Sequence, residues 1–123
     1  MDHFKGRRRK SLMKLLILIL NKVEKLEEVL EGFIEIGITG ATVIDSVGMG
    51  HILSEEVPIF LGLRFMFAGA KPHNKMVLST IKDEKEEPAI GLLKKILGDL
   101  NEPGTGIVFT IPVDRVEGLK PEL

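Results

Sequence analysis

The stretch Lys14-Leu15-Leu16-Ile17-Leu18-Ile19-Leu20-Asn21-Lys22-Val23-Glu24-Lys25-Leu26-Glu27-Glu28-Val29-Leu30-Glu31-Gly32-Phe33-Ile34-Glu35-Ile36-Gly37 decides the fold. Its first part, Lys14 to Leu20, is a continuous apolar run, the pattern of a strand that is covered on both faces or central in its sheet. Asn21 follows as a helix N-cap, with Glu24 three residues on to complete a box-like cap. Leu26, Val29, Leu30 and Phe33 then repeat at i, i+3, i+4, i+7, which is one buried face of a helix. Glu24, Lys25, Glu27, Glu28 and Glu31 fall on the wet side, and Gly37 is placed as a left-handed terminator. A buried strand feeding an amphipathic helix is the unit from which the rest is built.

Upstream, residues 1–12 are polar, basic and without periodicity, and are expected to form a mobile arm. Arg7, Arg8, Arg9 and Lys10 before an apolar run superficially resemble a signal peptide. However, the run is short, and Asn21, Lys22 and Glu24 stand where small cleavage-site residues belong. It also falls well below the ~20 apolar residues of a bilayer span, so a cytoplasmic protein that is not integral to a membrane is expected. Downstream, Ile38 to Val47 favours a strand, broken by Gly48-Met49-Gly50, and the pattern is irregular through Pro58. A hydrophobic segment from Ile59 to Ala68 leads to a turn-like stretch at 69–74. Met76 to Ile81 is a third strand. Acids at 83–87 and Pro88 mark a helix start, and Ala89, Ile90, Leu93, Ile96, Leu97 and Leu100 give that helix its stripe. Gly98 ends it, and Ile107 to Val113 is the fourth strand.

The order strand, helix, strand, strand, helix, strand predicts an α+β, ferredoxin-like βαββαβ domain over residues 13–123, a four-stranded antiparallel sheet with two helices on one face. The connection at 49–74 is far longer than a hairpin needs, and connections of that length usually carry function. With 123 residues, 44% hydrophobic and 28% charged, the chain supports one core and shows no disorder signature. A formal net charge of -1 gives no basic excess for nucleic acid. Cysteine, Trp and Tyr are absent, which removes disulfides, thiol nucleophiles, zinc-thiolate sites and most base-stacking platforms. No acid pair or Ser–His–acid arrangement emerges, so no catalytic residue is assigned and no enzyme is expected. The three histidines, His3, His51 and His73, are scattered without ligand spacing, so no metal site is assigned within one chain.

Gly37-Ile38-Thr39-Gly40-Ala41-Thr42-Val43, running through Ile44-Asp45-Ser46-Val47 into Gly48-Met49-Gly50, resembles the PII nitrogen-regulatory family, in which a similar stretch leads to the root of a mobile T-loop. Pro103-Gly104-Thr105-Gly106-Ile107-Val108-Phe109 is similar to that family's second glycine loop, the B-loop. The resemblance implies a cytoplasmic homotrimer that binds ATP or ADP in clefts between subunits. Through the loop it would control an enzyme, an ammonium transporter or a transcription factor in nitrogen metabolism. Carried over by position, Thr42, Gly48, Gly50, Gly104 and Gly106 are the expected nucleotide contacts. His51, Phe60, Arg64, Phe65, Lys71 and His73 are the expected partner-contact residues. Ile107 stands where the family has a lysine, Glu117 to Lys120 where it has arginines, and His51 where it has a glutamine, so the key basic residues for a triphosphate are missing. The alternatives from other classes are a metal-binding trimer of the CutA type and a constitutive protein-interaction module.

Overall fold

The computed structural model describes residues 12–56 and 73–119. In chain order these form β1 (Met13–Leu20), α1 (Leu26–Glu35), β2 (Thr42–Val47), α2 (Met49–Glu56), β3 (His73–Lys82), α3 (Glu86–Leu97) and β4 (Gly106–Val113). Single 3-10 turns at Val23–Lys25 and Asp83–Lys85 introduce α1 and α3. The strands make one sheet in the order β2-β3-β1-β4, with every neighbouring pair antiparallel. The ferredoxin-like expectation is therefore met. The expected mobile arm and the segment Ile59 to Ala68 lie outside the described residues.

The continuous apolar character of β1 follows from its place, since it is hydrogen-bonded on both edges and carries an apolar set on each face. Leu16, Leu18 and Leu20 point to the helices and are fully buried with Val77 and Ile81 of β3. Val29 and Phe33 of α1 and Ala89, Leu93 and Leu97 of α3 close over them, as the two helical stripes required. The opposite face is different. Ile17 lies between Leu78 and Phe109, and Ile19 between Met76 and Ile107, so a sheet of aliphatic and aromatic side chains is turned outward. Phe109 and Ile111 are each 46% exposed and Ile107 is 51% exposed, so no element among the described residues covers this face.

Gly37, expected as a left-handed terminator, has φ 91° just past α1, and Gly98, expected to end α3, does so with φ 86°. Four local expectations are corrected. Asn21 does not cap a helix: the turn at Val23–Lys25 has no side-chain cap, and the Asn21 amide oxygen accepts from Asn74 instead. Strand β2 starts at Thr42, because Ile38 turns into the core at 5% exposure in place of continuing the ladder. The chain after Gly48 is not irregular but helical through Glu56. His73 and Asn74, read as the end of a turn, already pair with Val47 and Ser46.

A polar cluster pins α3 to the sheet. The Glu86 carboxylate accepts a hydrogen bond from the Thr110 hydroxyl and faces the Lys14 ammonium at 3.3 Å, while Asp83 lies 3.4 Å from the same ammonium. The Thr110 hydrogen bond, then Lys14, hold the Glu86 carboxyl below its ordinary range against the opposing effect of burial. A carboxylate depressed in the native state contributes stability that is complete above the unfolded value, about 4.3, and is lost as pH falls through the lower native value. Thermal melts between pH 7 and 3 should therefore show a falling melting temperature at the acid end. Thr110→Val should flatten that limb, while a limb identical to wild type would remove Glu86 as its source.

Candidate functional site

Two glycine turns lie at the same end of the sheet, where β1 and β2 finish and β3 and β4 begin. Gly48 follows β2, and Gly50 is in the first turn of α2. Gly104, with φ 79°, and Gly106 flank Thr105 just before β4. A Cβ at Gly106 would sit 2.8 Å from the Ile19 carbonyl oxygen, so only glycine lets this turn close on the end of β1. Within one chain the turns occupy opposite edges, three strand spacings or about 14 Å apart. A single chain does not bring them together.

A row of polar residues crosses this end of the otherwise apolar open face. The Ser46 hydroxyl donates to Asn74 Oδ1 at 2.6 Å, and Asn74 Nδ2 donates to Asn21 Oδ1 at 2.8 Å. The Asn21 backbone N–H then donates to the Thr105 carbonyl at 3.2 Å. Asn74 is 9% and Thr105 1% exposed, so the Asn74 amide and the Thr105 carbonyl are satisfied within the protein, while Ser46 and Asn21 are half-buried. One row further in, Ile44, Met76, Ile19 and Ile107 stand in the equivalent places. On the helix side of the same neck, Lys75 Nζ meets Asp45 Oδ1 at 2.5 Å. That hydrogen bond, helped by the charge of Lys75 and a smaller effect of His73, holds the Asp45 carboxyl below its usual range. Lys22, next to Asn21, directs its ammonium to the Leu97 carbonyl at 2.9 Å and completes the last turn of α3.

Thr42 lies elsewhere. It begins β2, about 20 Å of strand from Gly48, and lines a cavity of about 810 Å³ at the other end of the sheet. Gly40, Ser79, Lys82, Lys85 and Leu119 share that cavity. The Ser79 hydroxyl donates to the Gly40 carbonyl at 2.6 Å and fixes the loop before Thr42. The cavity thus joins hydroxyls and two ammonium groups to an apolar floor. Of the expected partner-contact residues, His73 is the first residue of β3 and His51 lies in α2, whereas Phe60, Arg64, Phe65 and Lys71 are outside the described residues. Among the described residues no three His, Cys, Asp or Glu side chains gather as a metal site, and no helix is long and apolar enough to cross a membrane.

Sequence reasoning missed the polar row. Its signal was present: Asn21, Ser46 and Asn74 are short polar residues at strand ends, each two positions from an apolar residue of the same face. Asn74→Ala leaves the Ser46 hydroxyl only its 3.3 Å hydrogen bond to the Asn74 backbone carbonyl and removes the Asn74 donor from the Asn21 side-chain oxygen, and should cost about 1 kcal/mol in urea unfolding. Gly106→Ala, which forces a backbone clash at the Ile19 carbonyl, should also lower the unfolding midpoint. Unchanged midpoints in both would mean that this end of the sheet is not held as described.

The model of the nitrogen regulatory protein P-II family matches residues 13–122. No curated protein matches the chain in sequence. Among solved structures, PII of Arabidopsis thaliana bound to citrate superposes with a TM-score of 0.59 at 19% identity, over 84% of this chain and 78% of that one. A functionally unknown protein from Pediococcus pentosaceus ATCC 25745 superposes with a TM-score of 0.60 at 19% identity, over 89% of this chain and 99% of that one. At such identities the structures speak for the fold, and the sequence match across the whole described sheet supplies the kinship. The chain belongs to the nitrogen regulatory protein P-II family, whose members are regulatory, non-enzymatic signalling proteins.

Proposed function

We propose that this chain is a PII-like signal-transduction regulator, a cytoplasmic homotrimer that senses a small anionic ligand of the ATP or ADP kind and acts on a partner protein through residues 49–74. The observation that carries it is the uncovered sheet face. Ile107, Phe109 and Ile111 on β4 and Ile44 on β2 are 43–51% exposed on a side that no element among the described residues covers. A patch of that kind marks an interface. The glycine turns lie on opposite edges, so a heterologous contact of one β2 edge with the next β4 edge joins them, and such contacts close into rings. Three copies is the number that membership of the family supports.

In such a ring the backbone N–H groups of Gly48, Gly50, Gly104 and Gly106 converge from two chains into an anion-binding nest. Thr42 serves from the cavity on its own chain. Ile107 supplies no charge, so the phosphates are held chiefly by backbone dipoles, and weak affinity follows. The Arabidopsis relative was crystallised with citrate, a small anion, which agrees with the class of ligand. The partner is of the kind the family implies, an enzyme, an ammonium transporter or a transcription factor of nitrogen metabolism. Residues 13–123 form the sensing domain, with residues 1–12 as a basic arm.

Light scattering of the native protein should give three times the 13.6 kDa chain mass, and Phe109→Asp should dissociate it. A native monomer would remove the shared site. Calorimetry should show ATP or ADP binding that Gly104→Val weakens by about tenfold or more, about 1.4 kcal/mol. No heat with either nucleotide at millimolar concentration would end the nucleotide assignment while leaving the trimer standing.

A further inference from the structure

The polar row across the sheet end does more than close hydrogen bonds. It begins at Ser46, two residues before Gly48, passes through Asn74 at the point where the chain returns from residues 49–72, and crosses β1 at Asn21. It ends on Thr105, between Gly104 and Gly106. It ties Ser46 of β2 and Asn74 of β3 to the residue just past β1 and the residue just before β4, reaching the Gly104–Gly106 turn directly and ending two residues short of Gly48. Each link is directional: Ser46 donates to Asn74, Asn74 donates to Asn21, and the Asn21 N–H donates to Thr105. An apolar row at this level would hold the strands by packing that tolerates small slips. A chain of directional hydrogen bonds centred on the buried Asn74 amide does not, because displacing either neighbour breaks a bond that Asn74 has little solvent to replace. The far end is equally constrained, since Gly106 has no room to retreat past the Ile19 carbonyl.

We propose that Ser46, Asn74 and Asn21 form a strut that makes the neck of the 49–72 segment and the Gly104–Gly106 turn one mechanical unit, so that whatever moves either turn moves the other within the same chain. These are positioning residues. The strut deepens the regulatory function proposed above, to which it gives an intrachain route from a ligand at one turn to the partner-binding segment at the other. Its existence is tested without any ligand.

Amide hydrogen exchange of the native assembly reads the coupling directly. Ser46→Ala removes the donor at one edge, and exchange should quicken by at least about fivefold at the Asn21 N–H and in residues 104–106 at the other edge. The mid-strand amides of Leu16 and Leu18 should keep their protection. Asp45→Asn weakens the same neck on its helix side without touching the strut, and should leave residues 104–106 unchanged. Asn74→Leu, which fills the position with an apolar side chain, should reproduce the Ser46→Ala pattern. If Asn74→Leu fails to fold, Ser46→Ala and Asp45→Asn still decide the matter. Changes confined to residues 46–48 and 73–75, a uniform loss of protection throughout the sheet, or an equal effect of Asp45→Asn at residues 104–106 would each overturn the strut. Because no ligand is added, failure of nucleotide binding leaves this test untouched.

Discussion

The apolar character of both faces of β1 is the constraint from which the rest of the structure follows. Leu16, Leu18 and Leu20 need a roof, and only two amphipathic helices crossing the same side supply it. Ile17 and Ile19 on the reverse, with Leu78, Met76, Phe109 and Ile107 beside them, need a second cover that the described residues do not supply. The hydrophobic effect is non-directional and scales with area, so it demands that this face be covered without naming what covers it. What the sheet does specify is edge chemistry. Among the described strands, β2 and β4 form the edges at opposite sides of the same surface, and the two glycine turns ride on those edges.

This arrangement separates two kinds of strand end. At the end that carries Thr42, β2 is shorter than β3, and the chain before it curls inward through Ile38, leaving a cavity with Lys82 and Lys85 at its wall. At the other end, the strands finish level and are tied by amides and hydroxyls. The first end has room; the second has rigidity. The sheet is the rigid element between the two. The Asp45–Lys75 pair and the Ser46–Asn74 pair grip the same neck from opposite faces, so the segment beyond it leaves the sheet from a fixed base.

Much of the architecture was legible because its periodicities were strong. The run at 14–20 announced a strand buried on both sides, and the stripes through Val29 and Phe33 and through Leu93 and Leu97 announced the helices that cover it. Gly37 and Gly98 marked where those helices stop, since a left-handed residue is readable from composition and spacing. The failures share a cause. Asn21 was misread as a cap because local spacing favoured it, yet a residue 53 positions away in sequence, Asn74, offered a better partner. Helix α2 was missed because Met49-Gly50-His51 carries a helix-breaking glycine directly after Gly48 and no apolar stripe strong enough to outweigh it.

By itself, then, the chain of amino acids determined the order of elements, the faces they bury and the glycine positions, since these depend on side-chain pattern and backbone sterics over a few residues. Only tertiary structure decided that Thr42 stands at one end of the sheet and Gly48 and Gly104 at the other, and that Ser46, Asn74, Asn21 and Thr105 line up across four strands. Those relations depend on strand order and register, and register is set by how whole faces pack.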